Sequence, residues 1–119
     1  MKKILWLAFN AKFSHTSLTV RYLRQAAAKL NIESDILELT INNYVPDILS
    51  EIYEHKPDIL GISCYVWNIE LVKKVIPLVR HVLPQCIIIC GGPQYVPARL
   101  LWCLRPHPAP QSPLPDYLA

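Results

Sequence analysis

The chain has 119 residues, enough for one domain with its own core but marginal for two. A hydrophobic fraction of 52% against 18% charged residues is more than a sheet wetted on one face requires, and favours strands covered on both faces. The net charge of +3 is modest and its Lys and Arg residues are scattered rather than clustered, which excludes the electrostatic footprint of a nucleic-acid-binding protein.

The first apolar run, Lys3 to Phe9, is too short for the core of a signal peptide and is cut off by Asn10 to Lys12, so it reads as a strand. No segment approaches the roughly 18 apolar residues that a membrane-spanning helix needs. Leu18, Tyr22, Leu23, Ala26, Ala27 and Leu30 then recur at helical spacing, which predicts a helix with that face inward, closed by Asn31. Ile32 to Leu39 mixes apolar positions with Glu33, Asp35 and Glu38 and predicts a half-exposed strand near an edge.

Pro46 suits the first turn of a second helix, with Ile48, Leu49, Ile52 and Tyr53 on one side and Pro57 beyond its end. Ile59 to Cys64 is a short, β-branched central strand. Asn68 is placed to cap a third helix that turns Ile69, Val72, Val75, Ile76 and Val79 inward and carries Pro77 in its interior, where a bend is expected. Cys86 to Cys90 is a fourth strand, ended by Gly91-Gly92-Pro93. Alternating strands and helices imply right-handed crossovers and a doubly wound parallel sheet, a flavodoxin/Rossmann-like three-layer α/β/α architecture with the first and third strands adjacent and central.

Beyond the fourth strand the composition changes. Seven of the eleven prolines lie between Pro93 and Pro115, and Asp116 is the only acidic residue after Glu70. The expected organisation is one domain over 1–96 and a Pro-rich, irregular tail over 97–119, reflecting either a truncated larger protein or a tail read out of frame. Cys64, Cys86, Cys90 and Cys103 form no CxxC pair and are expected to be free thiols of a cytoplasmic protein.

Ligands of such sheets bind outside the carboxyl ends of the strands, where the strand order reverses. With the order 2-1-3-4, three segments are expected to converge there: Asn10 to Ser17, Ser63 to Asn68, and Gly91 to Tyr95. The first offers Asn10, Ser14, His15 and Thr16 before a helix N-terminus, suited to a polar or anionic group unless the hydroxyls merely cap the helix. The second carries Ser63 and the large side chains Tyr65, Val66 and Trp67, which serve either a planar ligand or the cover of the core. Gly91 and Gly92 remove side chains at a strand end, for a tight turn or for close approach of a ligand.

Together these segments, from Ile4 to Pro93, resemble the amino-terminal cobalamin-binding domain of radical S-adenosylmethionine proteins, especially a subgroup with Asn-Ala-Lys-aromatic-x-His after the first strand, as in Asn10 to His15. Ser63-Cys64-Tyr65 stands where the wider family has Ser-x-Leu, and Gly91-Gly92 where it has a Gly-Gly pair, with 25 residues between Tyr65 and Gly91. The resemblance implies cobalamin as cofactor, with Ser63 bonding its nucleotide tail, Gly91 and Gly92 leaving room for that tail, and Tyr65, Val66 and Trp67 lining the corrin. An indole at Gly92 is then expected to fill the channel and spare the fold.

The family's DxHxxG loop is replaced here, so His15 is a candidate cobalt ligand by proximity only. The radical S-adenosylmethionine CxxxCxxC motif is absent. The iron-sulfur cluster and S-adenosylmethionine are therefore expected only in a missing catalytic domain of the parent chain, either a methyltransferase or a relative of the anaerobic magnesium-protoporphyrin monomethyl ester cyclases. Two other readings stand beside this one: a flavodoxin-like regulatory or nucleotide-binding domain without corrin, and a discrete enzyme pairing His15 as base with Cys64 as nucleophile.

Overall fold

The computed structural model describes residues 3–11, 17–92 and Leu104. Within them the chain runs β1 (Ile4–Asn10), α1 (Leu18–Lys29), β2 (Ser34–Thr40), α2 (Val45–His55), β3 (Ile59–Ser63), α3 (Ile69–Val82) and β4 (Ile87–Gly91). All three strand pairings are parallel and the order is β2-β1-β3-β4, the expected topology with β1 and β3 central. Apart from Leu104, which packs against the core, the expected tail lies outside the described residues, as does the segment 12–16.

The order dictates where the helices go. The step from β1 to β2 runs one way along the sheet and the next two steps run the other, so right-handed crossovers put α1 on one face and α2 with α3 on the opposite face. The main core lies on the second face. Leu5, Leu7 and Phe9 of β1, Leu60 and Ile62 of β3, and Ile88 of β4 pack there against Ile48 and Ile52 of α2 and Val72, Val75, Ile76 and Val79 of α3. α3 runs through Pro77, which is buried.

α1 corrects the sequence reading. Its buried residues are Val20 and Ala27, while Leu18, Tyr22 and Leu30 are 65%, 67% and 72% exposed and Ala26 is exposed as well. The cause is that no second described helix shares its face, so α1 packs chiefly on β1 and β2 and buries only Val20 and Ala27. Asn31 closes the helix at φ 62°, and the Ile32 N–H donates to Ala27 O, so β2 begins at Ser34 rather than at Ile32.

Next to α1, one side chain covers the sheet. Trp6 is in register with Gly61 of β3, its indole lies directly over that glycine, and its Nε1 donates to Ser34 Oγ at 2.9 Å. One residue thus spans β2, β1 and β3, and a Cβ at position 61 would collide with its ring. Gly61→Val is expected to destabilise the fold by about 1–3 kcal/mol through overpacking, seen as a lower urea midpoint at unchanged slope. An unchanged midpoint would show that the indole moves aside freely.

Candidate functional site

β1 pairs with β2 as far as Asn10, but with β3 only as far as Leu7. Beyond Leu7 the two central strands separate, and their carboxyl ends open a gap at the point where the strand order reverses. The Phe9 carbonyl, left without a strand partner, faces this gap. Trp67 Nε1 donates to it at 3.1 Å and Asn68 Nδ2 at 3.3 Å.

Asn68 is nearly fully buried and holds the gap open in a fixed shape. Its Nδ2 also donates to Ser63 O at 2.9 Å, and its Oδ1 accepts the Tyr65 N–H at 2.9 Å. The residue occupies the N-cap position of α3 but makes no side-chain cap to that helix, contrary to the expected role. Its amide is committed to three backbone groups of the strand ends.

The aromatic residues are braced from both sides. Tyr65 and Trp67 stack with ring centroids 4.5 Å apart and planes 2° from parallel, and the Tyr65 hydroxyl bonds Thr19 Oγ1 of α1 at 2.7 Å. Ser63 and, to a smaller extent, Thr19 hold the Tyr65 phenol below its ordinary value, against a small opposing effect of burial. Ser17 caps α1, its Oγ accepting the Val20 N–H at 3.5 Å, which is the ordinary structural role for a hydroxyl there.

These residues enclose a groove of about 690 Å³, lined by Asn10, Ser17, Thr19, Ser63, Tyr65 and Trp67 among others, a volume typical of small-molecule sites. Ser63 is 5% exposed; its Oγ is close enough to the Tyr65 hydroxyl to lower that phenol, yet the two do not meet in hydrogen-bond geometry and the Oγ has no other described partner. A buried hydroxyl in that condition is costly unless something else bonds it. Gly91 is the register partner of Ser63 on β4, and a Cβ there would meet nothing within 4 Å. The orphaned hydroxyl and the open space beside it therefore fit a ligand entering the sheet between β1, β3 and β4.

A second hollow of about 830 Å³ lies at the other end of α1, lined by Arg21, Arg24, Asn31, Glu33 and Asp35 among others. It is larger, yet it sits at the amino end of β2, away from the strand reversal, beside an exposed Arg21–Glu38 ion pair at 3.0 Å. The smaller groove has the chemistry.

Of the residues expected at the site, Asn10, Ser63, Tyr65 and Trp67 line one groove, and Gly91 stands beside Ser63. Val66 is 71% exposed and does not line it. Ser14, His15 and Thr16 lie outside the described residues. Gly92 needs correction: at φ 115° its Cβ would run into the Cys64 backbone, so glycine is required there by the chain itself. An indole at 92 would disturb the strand end, and Gly91 is the position where bulk enters open space. Asn68, Thr19 and the Phe9 carbonyl were not marked as site groups in the sequence, because an Asn before a helix signals a cap and the backbone gives no sequence signal.

An open parallel sheet with a groove over its central carboxyl ends defines a ligand-binding α/β domain. A family model, the B12 binding domain, matches residues 4–106, and the chain belongs to that family, whose cofactor is cobalamin. Over 53 residues it is 42% identical to the cobalamin-dependent radical SAM methyltransferase TokK of Streptomyces tokunonensis, covering 44% of this chain and 8% of that protein. Over 43 residues it is 46% identical to the 2-(S-pantetheinyl)-carbapenam-3-carboxylate methyltransferase of Streptantibioticus cattleyicolor, covering 36% and 6%. The matched segments are thus less than a tenth of these relatives' lengths. Among solved structures, a CheY-like protein, tadZ, of Pseudomonas aeruginosa PAO1 superposes with a TM-score of 0.49 at 10% identity, over 72% of this chain and 66% of that one.

The Asn68 bracket makes a direct prediction. Asn68→Ala leaves the Tyr65 N–H and the Ser63 carbonyl unmatched and the Phe9 carbonyl with Trp67 alone, and is expected to cost about 1–3 kcal/mol of stability, with faster hydrogen exchange at the Tyr65 amide. Unchanged exchange at Tyr65 would mean that the loop holds its shape without this side chain.

Proposed function

We propose that this chain is the cobalamin-binding module of a longer radical S-adenosylmethionine enzyme of the methyltransferase kind, and that the groove between the ends of β1 and β3 takes the cofactor. The observation that carries the site is the buried, unbonded Ser63 hydroxyl beside the open space over Gly91. The parent class is supported by the similarity to two methyltransferases, one of them a cobalamin-dependent radical SAM enzyme; since this sequence carries no CxxxCxxC, the cluster and S-adenosylmethionine would belong to a separate catalytic domain of that parent.

In this reading Ser63 bonds the nucleotide tail, and Gly91 gives that tail room against β4. Tyr65 and Trp67 are already stacked and tied to Thr19 and Phe9, so they present a fixed apolar wall to the corrin with little ordering left for binding to impose. Asn10 contributes to the groove, and the roles read from the sequence for Ser14, His15 and Thr16 as cofactor contacts are kept as part of this proposal. Bound cobalamin supplies the cobalt centre that relays a methyl group or takes part in radical chemistry.

Titration of the chain with hydroxocobalamin, followed by visible absorbance, tests the reading. Gly91→Trp is expected to weaken binding at least about tenfold while circular dichroism stays unchanged, and Ser63→Ala to weaken it by the worth of one hydrogen bond, about 0.5–1.5 kcal/mol. His15→Ala is expected to shift the visible band of the complex. Unaltered affinity in a folded Gly91→Trp would refute the groove as the site, and an unaltered band would remove His15 from cobalt.

A further inference from the structure

The space at the groove does not end at Ser63. Alternate residues of a strand share a face, so Gly61 and Ser63 of β3 and Ile89 and Gly91 of β4 lie on the side of the sheet that carries α1, opposite Ile62 and Ile88 of the core. Since α1 packs chiefly on β1 and β2, the described helices leave the β3–β4 half of this side largely uncovered. From the register pair Ser63 and Gly91, the next pair toward the amino ends is Gly61 and Ile89, about 6.6 Å further along the sheet. Ile89 is 50% exposed there, one step from the orphaned Ser63 hydroxyl.

This strip of sheet is poor in side chains. Gly61 and Gly91 have none and Ser63 has a short one, whereas glycine inside a strand weakens it and marks a place where something approaches the backbone closely. At Gly61 the approaching group is Trp6, whose Cε3 and Cζ3, in the six-membered ring, press against the place a Cβ would take. The bond from Nε1 to Ser34 Oγ at 2.9 Å anchors the other side of the indole over β2. The ring therefore lies down across the strands with its six-membered part toward β3, and it is only partly buried. A low floor, a half-exposed isoleucine and a fixed aromatic ring make an apolar slot that is continuous with the groove at Ser63 and Gly91, where a Cβ would meet nothing within 4 Å.

Resting on the reading of the groove as a cobalamin site, we propose that Trp6 is a specificity-determining residue of that site: the slot from Ser63 to Trp6 takes the planar base that ends the nucleotide tail, with Ile89 beneath it and the six-membered ring of Trp6 against it. The two parts of the tail then meet the two chemistries of the strip. Its polar sugar-phosphate stretch passes the Ser63 hydroxyl, and its flat heteroaromatic base leaves water for an aromatic and an aliphatic neighbour. Because Ser34 already holds the indole, binding has no rotamer of Trp6 left to fix. The slot thereby favours corrinoids that carry an aromatic base over those without a tail.

The test compares hydroxocobalamin with cobinamide, which has the corrin but no nucleotide tail, in titrations followed by visible absorbance. The wild-type chain is expected to bind cobalamin at least about tenfold more tightly than cobinamide. Ile89→Glu, at a half-exposed position of an edge strand, is expected to weaken cobalamin about tenfold and leave cobinamide unchanged, and Trp6→Leu to do the same, with circular dichroism as the folding control for both. In the wild-type complex, nuclear Overhauser contacts are expected between the protons of the base and those on Cε3 and Cζ3 of Trp6, a readout that needs no variant. Equal affinity of the wild-type chain for the two corrinoids, equal losses for both in folded Ile89→Glu, or a complex without contacts between the base and Trp6 would overturn this inference while leaving cobalamin in the groove. Failure of the wild-type chain to bind either corrinoid would instead overturn the reading of the groove on which it rests.

Discussion

The site depends on one backbone carbonyl. β1 outlasts its pairing with β3, so Phe9 O emerges where no strand is left to bond it, and an unbonded carbonyl in a buried position is unfavourable by an amount comparable to a whole hydrogen bond. Trp67 and Asn68 supply the missing donors from the loop after β3. Since Asn68 also bonds Ser63 and Tyr65, satisfying that carbonyl fixes the whole loop, and with it the stacked rings. The groove is the space left between strand ends held apart and linked in this way.

Much of the fold was legible in the sequence because short apolar runs alternating with helical periodicity leave few ways to wind a chain of this size. Strand direction followed from that alternation, the order from taking the common 2-1-3-4 winding, and the edge position of β2 from the acidic residues interleaved in it. The face of α1 did not, since Leu18, Tyr22 and Leu30 look like a buried stripe unless it is known that no second described helix lies beside it. Composition cannot report how many neighbours a helix will have.

At the site, Ser63, Tyr65, Trp67 and Gly91 were legible as unusual residues at strand ends, and the resemblance to cobalamin-binding domains supplied their grouping. The different duties of Gly91 and Gly92 were not legible. Identical in composition, they differ because one faces open space and the other occupies a positive φ against the Cys64 backbone. Asn68 was hidden for a related reason: its sequence position is that of a cap, and only the separation of β1 from β3 turns its amide toward the strand ends.

The central claim is that cobalamin enters at the junction of β1 and β3. Amide-resolved NMR of the chain during titration with hydroxocobalamin tests it most directly. The account predicts that the resonances of Phe9 to Ala11, Ser63 to Asn68 and Gly91 shift together, while those of Asn31 to Asp35 beside the larger hollow at the far end of α1 stay in place. Shifts centred on Asn31 to Asp35, with the strand ends undisturbed, would contradict it.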